Sequence, residues 1–136
     1  MKTTYFWKAE HEPIPGIKYI SIAHNKDFIR MQSYDALIPS WDLINLVIEN
    51  GYSNEILNIY KEAYYTHLMK LDPGKVYEDL QDCTLVCYES SKDIANHKKF
   101  CHRRMVAGWI EQELGIIIPE ETRKCEDKLI IPAIYL

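Results

Sequence analysis

At 136 residues, with 47% hydrophobic and 26% charged side chains, the chain has the size and balance of one globular domain that needs no disulfide staples. A formal charge of -4 and a pI near 5.7 exclude a surface built wholesale for phosphate backbones, which requires an excess of Lys and Arg. No stretch approaches the about 18 uncharged apolar residues of a membrane span, and MKTTYFWKAEHEPIPG lacks a signal-peptide core, so a cytoplasmic protein without a membrane partner is expected.

The segment IKYISIA, residues 17–23, follows Pro15-Gly16 and is rich in Ile and Tyr, which predicts the first strand. Residues 24–39 have no clean period and end at Pro39, the pattern of a long loop with functional potential. Ser40 suits an N-cap, with Leu43, Ile44, Val47 and Ile48 as one apolar stripe and Asn50-Gly51 as the stop. Ser53 suits a second N-cap, and Ile56, Tyr60, Ala63, Tyr64, His67, Leu68 and Leu71 then recur at three and four, which predicts a long amphipathic helix. His67 reads as a histidine at the core edge. Asp72-Pro73 resembles the N-cap and first position of a shorter helix carrying Val76 and Leu80.

CTLVCYE, residues 83–89, is too short for a helix and predicts a central strand covered on both faces. A polar loop, SSKDIANHKKF, follows it. A helix is then predicted from about Cys101 to Leu114, packing through Met105, Val106, Trp109, Ile110 and Leu114 and ended by Gly115. Ile116 to Ile118 read as a further short strand, and LIIPAIYL, interrupted by Pro132, as an edge strand or a tail laid on the body. Strands alternating with helices predict an α/β fold, a single compact domain over 1–136 with a mainly parallel sheet flanked by helices.

The chemistry concentrates at the crossing from the central strand to the last helix. Ligands in open α/β sheets sit at the carboxyl edge, where Cys87 and Glu89 are predicted to lie, with Cys101 at the first turn of the next helix. Unpaired N–H groups and the positive dipole end favour an anion there, and Arg103 and Arg104 are near enough in sequence for a guanidinium to join them. The same surroundings favour the thiolate of Cys101, so a nucleophile is conceivable, with His102 and Glu89 as proton-handling or orienting partners. The bland alternative is packing, since cysteine is among the most buried residue types. No cofactor is predicted and no metal ligand set is assigned: Cys83 and Cys87 would lie about 13 Å apart along a strand. A partial set from Cys87, Cys101 and His102 stays open.

CYE at 87–89 followed by CHRRMVAGWI at 101–110 resembles the strand and helix signature of the domain of unknown function 488 family, and the similarity covers roughly residues 17–120. The resemblance implies a compact α/β fold with a pocket and no settled activity. Its signature positions fall on Cys87, Glu89, Cys101, His102 and Arg103, and more weakly on Ser21 and Pro39, with 1–16 and 121–136 as peripheral ends. The loop before Cys101 is longer than the usual form by Ile94, Asn96 and His97, which suggests a lid over the pocket.

Three functions are consistent with these residues. In the first, the protein is an enzyme or sensor for an anionic small molecule such as a nucleotide. Arg103, with Ser21, Cys87 and Arg104, would then bind the ligand, while Cys101, His102 and Glu89 form the catalytic group. The second is a non-catalytic module for protein or nucleic acid, with 97–104 as its contact patch. The third is structural, with Cys101 buried and Arg103 pairing with Glu89.

Overall fold

The computed structural model describes residues 1–24 and 31–135; most of the predicted 24–39 loop, at 25–30, and the last residue of LIIPAIYL lie outside the described residues. The predicted central strand is β3, Cys83–Cys87, and all five of its residues are buried. Beside it run β1 (Lys2–Tyr5) and β2 (Lys18–Ser21), both parallel to it, in the order β1-β3-β2. Tyr5 aligns with Cys87 and Ser21 with Val86, so all three strands finish at one edge of the sheet. This is the α/β architecture with a parallel sheet that the alternation of elements predicts.

The segment expected to start the sheet is thus its second strand. The first lies in residues assigned to a peripheral end. Lys2–Tyr5 is only four residues long, and threonines take the buried positions that Val or Ile would have advertised. Thr3 and Thr4 are fully buried, and their hydroxyls donate to the Glu120 carboxylate and the Glu121 carbonyl, both at 2.6 Å. Polar side chains are tolerated there because each finds a partner.

Both edges of the sheet are extended by single bridges, Thr3 with Glu120 and Ser21 with Ser33. Thr3 donates its N–H to Pro119 and accepts from Glu121, which satisfies the outer side of β1. The chain at 116–118 forms no strand; pairing begins at the residues just after it. The C-terminal segment behaves as a tail laid on the body, with Ile131 buried and the Ile134 N–H donating to the Arg104 carbonyl at 2.9 Å.

Helices α1 (Phe6–His11), α2 (Trp41–Asn50), α3 (Asn54–Leu68), α4 (Pro73–Leu80), α5 (Ser91–Ala95) and α6 (His102–Leu114) complete the described elements, with 3-10 turns at Asp35–Leu37 and Lys124–Glu126. The predicted caps form: Ser40 Oγ accepts from the Leu43 N–H, Ser53 Oγ from Ile56, and Asp72 Oδ1 from Gly74 and Lys75. Residues 90–100 are not all loop, because Ser90 caps α5 through the Asp93 N–H and Ile94 is buried. His67 Nε2 donates to the Ala36 carbonyl at the edge of the core.

The larger core cluster gathers Ile20, Leu85, Tyr64, Leu68, Met105 and Ile110; a smaller one holds Phe6, Val86, Cys87, Ile94, Cys101 and Ile131. Helix α6 packs against β1, β3, α3 and α4. It is buried from His102 through Ile110, far beyond one stripe, while Leu114, expected on its packing face, is exposed. The tail covers the side that would otherwise meet water. It crosses at Gly108, where a Cβ would sit 2.0 Å from the Ile134 carbonyl oxygen. Gly108 therefore serves close backbone approach. Replacement by Ala is expected to cost about 1–3 kcal/mol through forced displacement of the tail, read as a lower urea midpoint with an unchanged slope.

Candidate functional site

At the carboxyl edge of the sheet, β3 delivers Cys87 and then Glu89, and the start of α6 delivers Cys101 and His102. The Cys87 sulfur lies 3.4 Å from His102 Nδ1 and 3.6 Å from Glu89 Oε2. One ligand atom from each of Cys87, Cys101 and His102 falls within 4.8 Å of the others, and all three residues are buried. Nε2 of His102 is 2.6 Å from the Ile22 carbonyl oxygen, which can only accept. Nε2 therefore carries a proton, and in the neutral ring the Nδ1 lone pair faces the sulfurs. Tyr64 meets the same ring edge-on, with centroids 5.3 Å apart. The partners that aim the imidazole thus come from the loop after β2 and from α3, neither adjacent in sequence.

Burial alone would raise the pKa of the Cys101 thiol. The hydrogen bond with Cys87, the Arg103 charge and His102 outweigh it and hold Cys101 well below the ordinary thiol range. Cys87 moves the other way, pushed up by burial and by its bond to the Cys101 sulfur. Burial, followed by the charge on Cys101, lifts the Glu89 carboxyl to about 7. Tyr52, which donates to Glu89 Oε1 at 3.3 Å, is also raised, by burial first and the Glu89 charge second. Cys101 is thus shifted toward its thiolate, while Cys87, Glu89 and Tyr52 around it are shifted toward their protonated forms.

Arg103 is placed differently from the ligand-binding expectation. It is fully buried, with Nε at 3.0 and 3.2 Å and Nη2 at 2.7 Å from the Glu120 carboxylate, and Nη1 donates to the Glu89 carbonyl at 2.7 Å. The fork is taken up by an internal carboxylate and by the backbone leaving β3. Arg104 points elsewhere: it donates to Thr3 Oγ1 and to the carbonyls of Ile118 and Pro132, and so ties the tail to β1. Ser21 is buried in a local turn, its hydroxyl bonding the N–H and carbonyl of Ala23. It shapes the loop that carries Ile22 toward His102. The structure therefore brings together Cys87, Glu89, Cys101 and His102, holds Arg103 just behind them, and leaves Ser21 and Arg104 in supporting positions.

A cavity of about 360 Å³ opens over this cluster. Cys87, Glu89 and His102 line it together with Trp41, Ile44, Tyr52, Tyr60 and Phe100. Cys101 sits behind that lining, 2% exposed. Pro39 is buried at the rim, its carbonyl accepting from His24 Nε2 at 2.9 Å, and His24 stacks on Trp41 at 4.0 Å. Helix α2 supplies much of the wall through Trp41, Ile44, Val47 and Ile48, and the long loop before Cys101 contributes Phe100 but not the Ile94, Asn96 or His97 expected as a lid. That explains why the apolar stripe of α2 stays half-exposed and why Ile48, 71% exposed, is not in the core. Helix α5 instead borders a second hollow of about 450 Å³, lined by Lys92, Lys99 and Arg123 among others and sharing Tyr88 and Glu89 with the first.

The 97–104 stretch divides at Phe100: His97, Lys98 and Lys99 are exposed, and Phe100 through Arg104 are buried. Glu120 and the aromatic wall were not legible as site residues. Glu120 sits in an extended segment where nothing marks it off from Glu121, and Trp41, Tyr52 and Tyr60 read as ordinary helix-surface or core aromatics. Comparisons of the chain with protein-family models, curated proteins and solved structures find no match.

The side chains of Arg103 and Glu120 are 0% and 3% exposed, so removing one partner strands a buried charge. Glu120→Ala is expected to cost ~3–5 kcal/mol in urea unfolding, whereas the double variant Arg103→Met/Glu120→Leu costs clearly less than the sum of its singles.

Proposed function

We propose that this protein is a small-molecule enzyme or sensor whose ligand is nucleotide-like: a planar ring enters the aromatic cavity and a charged end lies over Tyr88 and Glu89 in the neighbouring hollow. The observation that carries this reading is the lining of two neighbouring spaces that share Tyr88 and Glu89. Aromatic and aliphatic walls accompany Cys87, Glu89 and His102 in the first, and Lys92 and Lys99 line the second beside Asp93 and Glu126, with Lys99 3.8 Å from Asp93. Ligand sites of this kind are mostly apolar, with a few polar groups that fix orientation. A bare phosphate has little to hold it in the first space, because Arg103 is committed to Glu120.

In this reading Glu89 addresses the ring edge by hydrogen bonding, His102 lines the space with its nitrogens turned to Ile22 and Cys87, and Cys101 is the thiolate anchor behind the floor. Arg103 passes from ligand binder to frame, and the anion-binding role moves to the lysines on and after α5. The likeness to the domain of unknown function 488 family belongs to the same proposal. Four of its five main signature positions meet at the cavity floor, and the fifth, Arg103, braces them from behind.

A thermal-shift series tests it, since a ligand that binds the folded state raises the melting temperature by mass action. Nucleoside monophosphates should outbind the parent nucleosides, and inorganic phosphate should do little. Trp41→Ala should weaken both organic ligands by about 10-fold, in line with ~1–3 kcal/mol for stacking a base on an aromatic ring. Lys92→Ala/Lys99→Ala should erase only the advantage of the monophosphate. Equal shifts from phosphate and nucleotides, or a Trp41→Ala protein that binds like wild type, would sink the proposal.

A further inference from the structure

We propose that Cys87, Cys101 and His102 form a binding site for a thiophilic divalent cation of the zinc class, with its fourth coordination position open to the aromatic cavity. This deepens the reading of the cavity floor as the working end of the pocket. It stands on the geometry of the three side chains.

Zinc binds sulfur at about 2.3 Å and imidazole nitrogen at about 2.0–2.1 Å in a tetrahedron, which makes the sulfur-to-nitrogen edge about 3.6 Å. The Cys87 sulfur and His102 Nδ1 are 3.4 Å apart, already that edge length. The remaining ligand-atom separations within the trio do not exceed 4.8 Å. Closing to a sulfur-to-sulfur edge of about 3.8 Å asks for a shift of about an ångström at most.

The imidazole is also prepared in the manner of metal ligands. A ligating histidine donates its other N–H to a carbonyl or carboxylate, which fixes tautomer and ring direction. His102 does so through Nε2 to the Ile22 carbonyl, leaving Nδ1 for the cation. The charges balance as well: two thiolates and one imidazole neutralise a divalent ion. The nearby Arg103 is already neutralised by Glu120, so the ion and its three ligands sum to zero without it.

Binding forms two metal–sulfur bonds; the thiol proton of Cys87, and that of Cys101 wherever it is still held, leaves to solvent, and no electron transfer is involved. Cys87 and His102 line the cavity and Cys101 lies behind them, so the vacant tetrahedral direction faces the ligand space beside Glu89. Two cysteines and one histidine with an open position form a donor set that catalytic zinc sites use. Such a centre supplies Lewis-acid polarisation to whichever ligand atom takes the fourth position. Cys83 lies elsewhere on β3, and Cys125 is exposed.

The test uses the full chain, reduced and stripped with a chelator, then titrated with zinc or cobalt alone. One equivalent per chain is expected. Cobalt should give sulfur-to-metal charge transfer and the strong visible bands of four-coordination. Zinc should protect Cys87 and Cys101, but not Cys125, from slow alkylation read by mass spectrometry. Cys87→Ser and Cys101→Ser should lose more affinity than the ~10–100-fold that removal of an outer-shell partner costs, while Cys83→Ser and Cys125→Ser retain it. Should a ligand variant fail to fold, the alkylation pattern of the wild type decides. Unchanged labelling of Cys87 and Cys101 with zinc overturns the proposal. A cobalt spectrum without thiolate bands, or one that vanishes in Cys125→Ser, overturns it too. No organic ligand enters the assay, so a negative result leaves the nucleotide reading standing, and failure of nucleotides to bind leaves the metal site standing.

Discussion

The site depends first on where Arg103 goes. Its guanidinium grips Glu120 through Nε and Nη2 and reaches the carbonyl of Glu89 with Nη1, so one buried side chain joins the start of α6, the exit of β3 and the C-terminal segment. Desolvation of the guanidinium opposes this burial, and the Glu120 charge and hydrogen bonds more than offset it, leaving Arg103 firmly charged. Such a pair need not add net stability over apolar packing. What it adds is position. Residues 101 and 102 precede the arginine, and residues 87 and 89 sit beside its other partner, so fixing Arg103 brings Cys101 and His102 against Cys87 and Glu89.

A second constraint acts on ligand access. Helix α2 has an apolar stripe but no buried residue, since the stripe is shared between the core and a cavity. Its inner residues, Leu43 and Val47, rest against the main cluster, while Trp41 and Ile48 lean over the opening. A wall that is half-solvated costs the fold some hydrophobic stabilisation. The compensation is a surface on which an apolar ring can replace water, directly above groups able to hydrogen-bond it. The stacked His24 and Trp41 pair and the buried Pro39 hold that wall at its first turn.

Much of this was legible in the sequence because local physics dictates it. Ser40, Ser53, Asp72-Pro73 and Gly115 announced helix ends by capping chemistry that depends on only a few neighbouring residues. CTLVC announced a central strand because five consecutive apolar or small residues can be buried on both faces only in the middle of a sheet. The convergence of Cys87, Glu89, Cys101 and His102 followed from strand-to-helix topology. The partner of Arg103 did not: Glu89, the expected carboxylate, supplies only its backbone carbonyl, and the carboxylate is Glu120, 17 residues on in a segment without regular structure. Strand β1 was hidden for a related reason: its threonines are satisfied by Glu120 and Glu121, and a sequence pattern scores the residue without its distant acceptor. α5 was missed inside a polar run where Ile94 alone marks the buried side.

Glu120 and Glu121 then set the register of the whole assembly. In an extended segment successive side chains point to opposite sides. Glu120 takes Arg103 from α6, and Glu121 takes Lys8 from α1 at 2.9 Å along with the Tyr19 hydroxyl of β2 at 2.6 Å. Both ion pairs are buried, and their cations come from different helices. A slip of one residue in the pairing of this segment with β1 would send each carboxylate to the wrong side and strand two buried cations at once. Two adjacent glutamates thereby specify a single alignment of β1, β2, α1 and α6. The sulfur and imidazole cluster inherits its geometry from that alignment, because neither Cys101 nor His102 can shift without carrying Arg103 away from Glu120.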